Sequence, residues 1–168
     1  MPSDESQRSN FNVQPFLLDC SLNTVMAYRT TIPVRFGDVD RAGIVYYPVI
    51  FHYLHLAQED FFANYMGVPY HRLIEDDGIG FPTITDATEF YQPLKYGDLI
   101  EIAVFISRVG ASSVVFEFRL YRQGETVLLA KSSQIKVAVN MNTWKKVDIP
   151  ERYRALLESC QPDEPPKM

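Results

Sequence analysis

Between Ile44 and Met66 the chain carries Val49, Ile50, Phe51, Tyr53, Leu54, Leu56, Ala57, Phe61, Phe62, Tyr65 and Met66. At 3.6 residues per turn these side chains occupy most of a helix's circumference. Such a helix expects burial on most sides. Pro48 suits its first turn, because the N–H that proline lacks would be unpaired there, so the helix is placed from about Tyr47–Pro48. No apolar run approaches the roughly 20 residues that a membrane span needs. The rest of the chain must therefore wrap this helix.

The flanking sequence supplies strands. Tyr28 to Phe36 places Tyr28, Thr30, Ile32, Val34 and Phe36 on one face. Ile79 to Tyr91, Leu99 to Val109, Ser113 to Arg122 and Thr126 to Asn140 are β-rich. Val114, Phe116, Phe118 and Leu120 alternate with Val115, Glu117, Arg119 and Tyr121, the two-residue period of a half-buried strand. Gly110 and Gln123-Gly124 provide short antiparallel connections. Ile149 to Cys160 closes as a short helix starting at Pro150. The expected class is α+β: one long central helix wrapped by a curved antiparallel sheet. A single such layer leaves strand edges open and favours a homodimer or homotetramer.

The chain has 168 residues, 46% hydrophobic and 22% charged, which suits one globular domain. We place that domain at 27–160, after a polar 1–26 extension and before a 161–168 tail, both expected to be disordered. Met26 offers a second start. The net charge of −5 predicts no general attraction to nucleic acid. Cys20 and Cys160 lack paired spacing and read as reduced thiols, which together with a polar N-terminus points to the cytoplasm and no membrane attachment.

Chemistry concentrates in Phe36-Gly37-Asp38-Val39-Asp40-Arg41-Ala42-Gly43-Ile44-Val45-Tyr46-Tyr47-Pro48. Asp40 stands just before the helix, whose first N–H groups have no internal partners and carry partial positive charge. A carbonyl group there would receive donors aimed at its developing oxyanion. Asp40 would then attack or deprotonate a water. The same acid also suits a plain helix N-terminus, where the macrodipole favours it. Asp38 reads as structural, bonding the turn's own amides.

This stretch resembles the signature of the 4-hydroxybenzoyl-CoA thioesterase family, as does Tyr91-Gln92-Pro93-Leu94-Lys95-Tyr96-Gly97-Asp98. With the strand order, the likeness spans roughly 27–155. It implies a hot-dog fold and an acyl-CoA thioesterase without cofactor or metal. It further implies Asp40 as catalytic carboxylate, the Tyr47 backbone N–H as carbonyl donor, and Gly43, Ile44, Val45 and Tyr46 beside the substrate.

His52, His55 and Glu59 share one stripe of the helix. They suit a substrate pocket or a subunit interface better than a metal site, since no further ligand cluster is evident. His55 replaces an acid in the family's pattern, which argues against a preference for the 4-hydroxybenzoyl group. The nucleotide end of CoA needs cations or amide donors, and Arg108 with Ser112 and Ser113, in the turn 107–113, is the candidate set. Phe51, Tyr53, Phe61 and Phe62 suit an aromatic acyl pocket and ordinary core equally. Hydrolysis of carrier-protein thioesters, dehydration of a 3-hydroxyacyl thioester using His52 or His55, and non-catalytic acyl-CoA binding are the competing functions.

Overall fold

The structure, a computed structural model, describes residues 27–161. The expectations for 1–26, Cys20 and Met26 included, and for 162–168 lie outside the described residues. Strand β1 (Tyr28–Pro33) is followed by a 3-10 turn (Phe36–Asp38) and helix α1 (Tyr47–Asp60). A π-helical turn (Phe61–Tyr65) leads to α2 (Tyr70–Asp77), β2 (Ile79–Gly80) and β3 (Thr83–Phe90). Then come β4 (Leu99–Val109), β5 (Ser113–Arg122), β6 (Leu128–Val137), β7 (Val139–Asn140) and α3 (Glu151–Glu158).

Five strands form one antiparallel sheet in the order β1-β4-β5-β6-β3, and β2 pairs with β7 alongside it. Alternation in β5 holds as expected: Val114, Phe116, Phe118 and Leu120 are buried. Across from them lie Ile50, Leu54, Ala57, Phe61 and Phe62 of α1 and its π-helical extension, in the same core. Phe116 meets the rings of both Phe61 and Phe62, with centroids 5.7 and 6.1 Å away. This is the hot-dog arrangement, with α1 as the filling.

Four expectations need correction. First, β1 stops at Pro33, where the missing N–H cannot continue a ladder. The chain then enters the 3-10 turn, and Phe36, expected on the buried face, is 78% exposed. Second, α1 is covered by the sheet on one side only; His52, His55 and Glu59 are exposed on the other. Third, α2 was not anticipated; its eight residues Tyr70–Asp77 are polar and bury only Leu73. Gly78 ends it in the left-handed region, φ 63°. Fourth, Pro150 caps α3 from outside, and the helix begins at Glu151.

One row of the inner sheet face is polar. Ser132, Gln134 and Lys136 alternate along β6 and are buried. Gln134 Nε2 and Ser132 Oγ donate to Asp86, at 2.5 and 3.1 Å. Lys136, only 3% exposed, donates from Nζ to Thr83 Oγ1 at 2.6 Å and lies 5.7 Å from the Phe116 ring centre. Burial lowers its pKa to about 8, against a partial opposing pull from Asp86. The unfolded chain therefore binds more protons than the folded one between about pH 8 and the ordinary lysine value. Stability from this group rises with pH across that window. Lys136→Met should be more stable than wild type at pH 7, and its advantage should shrink as pH rises from about 8 toward 10. Denaturant unfolding of both proteins across that range checks it; a pH-independent gap contradicts it.

Candidate active site

The loop between β1 and α1 is pinned at several points. Val34 N–H donates to Asp98 O at 2.8 Å and Gly97 N–H to Val34 O at 3.2 Å, fastening the end of β1 to the turn before β4. Asp38 Oδ2 accepts from Arg35 N–H at 2.7 Å and from the Tyr53 hydroxyl at 2.6 Å, as expected for a structural acid. Tyr53 lies on α1, so this carboxylate ties the turn to the helix. Burial first, and then the Asp38 bond, hold the Tyr53 phenol well above its usual pKa. Tyr46 N–H donates to Asp38 O at 2.9 Å, and Val45 N–H to Leu94 O at 2.8 Å.

Asp40 heads a small closed loop inside this frame. Its N–H donates to Ile44 O and its carbonyl accepts from Gly43 N–H, both at 2.9 Å. Gly43 adopts φ 76°, a conformation that side-chain-bearing residues reach only with strain. Asp40 Oδ1 accepts from Ala42 N–H at 2.7 Å; Oδ2 has no protein partner among the described residues, and the side chain is exposed.

The start of α1 completes the arrangement. Tyr46 O accepts from Val49 N–H at 2.8 Å, and Pro48 has no N–H to offer. Tyr47, the first helical residue, keeps an N–H with no partner among the described residues. An unpartnered donor at the positive end of a helix thus shares one short loop with a carboxylate that has a free oxygen.

The other expected residues divide. Gly43, Ile44 and Tyr46 are exposed around Asp40, whereas Val45 packs into the core. His55 Nε2 lies 3.0 Å from Glu59 Oε1, and both line a cleft of about 400 Å³ between α1 and α2. Tyr70, His71 and Ile74 of α2 form its other wall, residues the sequence reading missed because it missed that helix. His52 is exposed on the same side of α1 without lining the cleft. Among the described residues no group of three or more His, Cys, Asp or Glu is placed to hold a metal. Tyr53, Phe61 and Phe62 are core; Phe51 is half-buried.

Arg108 lies on β4 beside a bulge, not in the turn that follows. Ser113 opens β5, and Ser112 O accepts from Ala138 N–H at 2.8 Å. At about 3.3 Å per strand residue, Arg108 stands roughly 30 Å along β4 from Leu99, the end nearest Asp40.

Residues 34–157 match the model of the thioesterase-like superfamily. The chain belongs to that superfamily. Within it, a 1,4-dihydroxy-2-naphthoyl-CoA hydrolase of Thermosynechococcus vestitus is 28% identical over 128 residues, covering 76% of this chain and 86% of its own. The acyl-CoA thioesterase YbgC of Haemophilus influenzae is 26% identical, covering 74% of this chain and 91% of its own. A solved gentisyl-coenzyme A thioesterase superposes with a TM-score of 0.70 at 29% identity, over 77% of this chain and 99% of its own. As a thioesterase-like protein the chain thus has the hot-dog fold, and among its described residues no helix is long and apolar enough to cross a membrane.

The Asp40 loop depends on the Gly43 backbone. A Cβ at Gly43 would meet nothing within 4 Å, so Gly43→Ala costs backbone strain alone. We expect a stability loss of about 1–2 kcal/mol in denaturant unfolding. An unchanged midpoint would show that the turn can relax away from its left-handed form.

Proposed function

We propose that this protein is an acyl-CoA thioesterase that releases a free acid and CoA, with Asp40 and the Tyr47 N–H as its reacting pair. The observation that carries the reading is their pairing: an exposed carboxylate with a free oxygen and an unpartnered helix-terminal amide in one loop. The thioester carbonyl oxygen accepts from Tyr47 N–H, whose hydrogen bond strengthens as negative charge develops there. Asp40 then supplies the electron pair, either by attacking the carbonyl carbon or by taking a proton from a water that attacks it. The C–S bond breaks, the thiolate leaves and takes up a proton, and the acid is released; by the covalent route water first cleaves the Asp40 anhydride. Every step balances with water as the only co-reactant.

The finer likeness to 4-hydroxybenzoyl-CoA thioesterases rests on the Phe36–Pro48 stretch, with Tyr91–Asp98 beside it. An aromatic acyl group is the substrate class we favour, because relatives carry names for 1,4-dihydroxy-2-naphthoyl-CoA and gentisyl-coenzyme A. His55, standing where that family's pattern has an acid, argues against the 4-hydroxybenzoyl group itself. The cleft lined by His55, Glu59 and Tyr70 is a polar-ended space suited to hydroxylated rings.

The active unit is at least a dimer in this reading. Strand β3 is a sheet edge of eight residues with exposed Ile84 and Phe90 and neither Lys nor Pro to discourage pairing. A second β3, antiparallel about a twofold axis, would extend the sheet continuously. Arg108, Ser112 and Ser113 would then serve a thioester held at another protomer's Asp40, since their own lies at the far end of β4. Light scattering should give a dimer or tetramer; a monomer at micromolar concentration would sink this part of the account.

Asp40→Asn keeps size and one acceptor oxygen but removes the charge. Assayed by thiol release on aromatic and aliphatic acyl-CoAs, it should lose about 10²–10⁴-fold in turnover, roughly 3–5 kcal/mol of barrier. Its melting temperature should change little. A pure capping role predicts the reverse, retained turnover with stability lowered by up to about 1 kcal/mol.

A further inference from the structure

Gln58, on α1, is the one buried side chain among the described residues whose polar atoms have no partner. It is 1% exposed, and neither Nε2 nor Oε1 meets a donor or an acceptor. A buried amide left unpaired is costly, because water satisfies both atoms in the unfolded chain and nothing replaces it. The other three buried polar side chains are engaged: Ser132 and Gln134 on Asp86, and Lys136 on Thr83. A leucine or methionine would fill the same helix position without that cost.

Helix geometry places this amide at the border between the core and the cleft. With successive residues about 100° apart, Gln58 falls between the sheet-facing row of Leu54 and Phe61 and the row of His55 and Phe62. Both members of that second row meet the Tyr70 ring, with centroids 6.1 and 5.1 Å away, and His55 and Tyr70 line the cleft. Just beyond Gln58 the helix widens into the π-helical turn Phe61–Tyr65, a distortion common at functional sites. The cover on this side is light. Helix α2, which carries Tyr70, buries only Leu73, so little packing energy holds it down. The Tyr70 hydroxyl itself accepts one bond among the described residues, from Phe81 N–H at 3.0 Å.

A carboxamide donates through its nitrogen and accepts through its oxygen, and a hydroxyl, which does both with one atom, pairs with either end. We propose that Gln58 is a specificity-determining residue whose amide binds a hydroxyl on the ring of an aromatic acyl group. The proposal rests on the acyl-CoA reading and on the cleft as the acyl pocket, and it gives the ring hydroxyl a named partner. The acyl ring enters between His55 and Tyr70, displaces the Tyr70 ring and brings its hydroxyl to the Gln58 amide. An unsubstituted ring leaves that amide unpaired and is disfavoured for that reason.

The test measures thiol release by the full-length protein from benzoyl-CoA and from its three monohydroxy isomers, which share one CoA. Wild type should favour at least one hydroxylated isomer in kcat/KM, by about three- to tenfold for each hydrogen bond gained. Gln58→Met keeps the length of the side chain and should bring that ratio close to one, whereas His55→Ala should retain most of it. In denaturant unfolding without substrate, Gln58→Met should shift the midpoint upward, because the unpaired amide is gone. A wild type with no such preference overturns the proposal, as does a preference that Gln58→Met leaves intact. A preference lost in His55→Ala alone overturns it in favour of the imidazole. A lowered midpoint in Gln58→Met also overturns it, since the amide would then have partners in the free protein. If wild type hydrolyses none of the four thioesters, the acyl-CoA reading fails, and calorimetry with the three hydroxybenzoates against benzoate decides for Gln58 separately. Tighter binding of a hydroxybenzoate that Gln58→Met abolishes supports the amide's role; binding equal to that of benzoate, or none, ends it.

Discussion

The Asp38 carboxylate joins the Arg35 amide to the Tyr53 hydroxyl, and its own carbonyl holds the Tyr46 amide. Through these three bonds the end of β1, the Asp40 loop and the first turns of α1 become one rigid piece. A hydrogen bond to a charged group contributes on the order of 1.5–3 kcal/mol, and a half-buried carboxylate left unpaired costs more than that. The position of Asp40 relative to the Tyr47 amide therefore follows from a residue that takes no part in the proposed chemistry. Behind it stands the packing of Leu54, Ala57, Phe61 and Phe62 against β5, which fixes the helix axis. The core sets the helix, the helix sets its N-terminus, and Asp38 sets the loop against it.

The sequence made the helix, the β4 and β5 strands and the Asp40 loop legible for separate reasons. Two-residue alternation in Val114–Tyr121 is a direct print of a sheet with one face buried. The Tyr47–Pro48 start was readable because proline has one comfortable place at a helix entrance. Helix α2 was not readable: Tyr70–Asp77 is short and polar, with one buried side chain, so its period carries little signal. Phe36 was misassigned because alternation continues through Val34 while Pro33 has already ended the ladder. The strong apolar character of α1 suggested cover all round, yet a single chain covers one side and leaves His52, His55 and Glu59 outside. Composition registers that a surface will be covered without saying by what.

Of the candidate site, the local part was legible and the distributed part was not. Asp40, Gly43 and Tyr47 lie within eight residues, so their geometry is largely a property of one turn and one helix start. The cleft between α1 and α2 draws on residues from His55 to Ile74 and depends on a helix the pattern did not reveal. The separation of Arg108 from Asp40 is a consequence of strand direction, which no local motif encodes.

The proposed mechanism needs a thioester carbonyl docked at the Tyr47 amide with Asp40 facing its carbon. A crystal structure with an acyl-CoA analogue in which a methylene replaces the sulfur tests this most directly, since the carbonyl is retained and cannot be hydrolysed. The carbonyl oxygen is expected at about 2.7–3.1 Å from Tyr47 N, with the free Asp40 oxygen on the carbonyl-carbon side. A carbonyl bound elsewhere, with the Tyr47 amide still facing solvent, would contradict it.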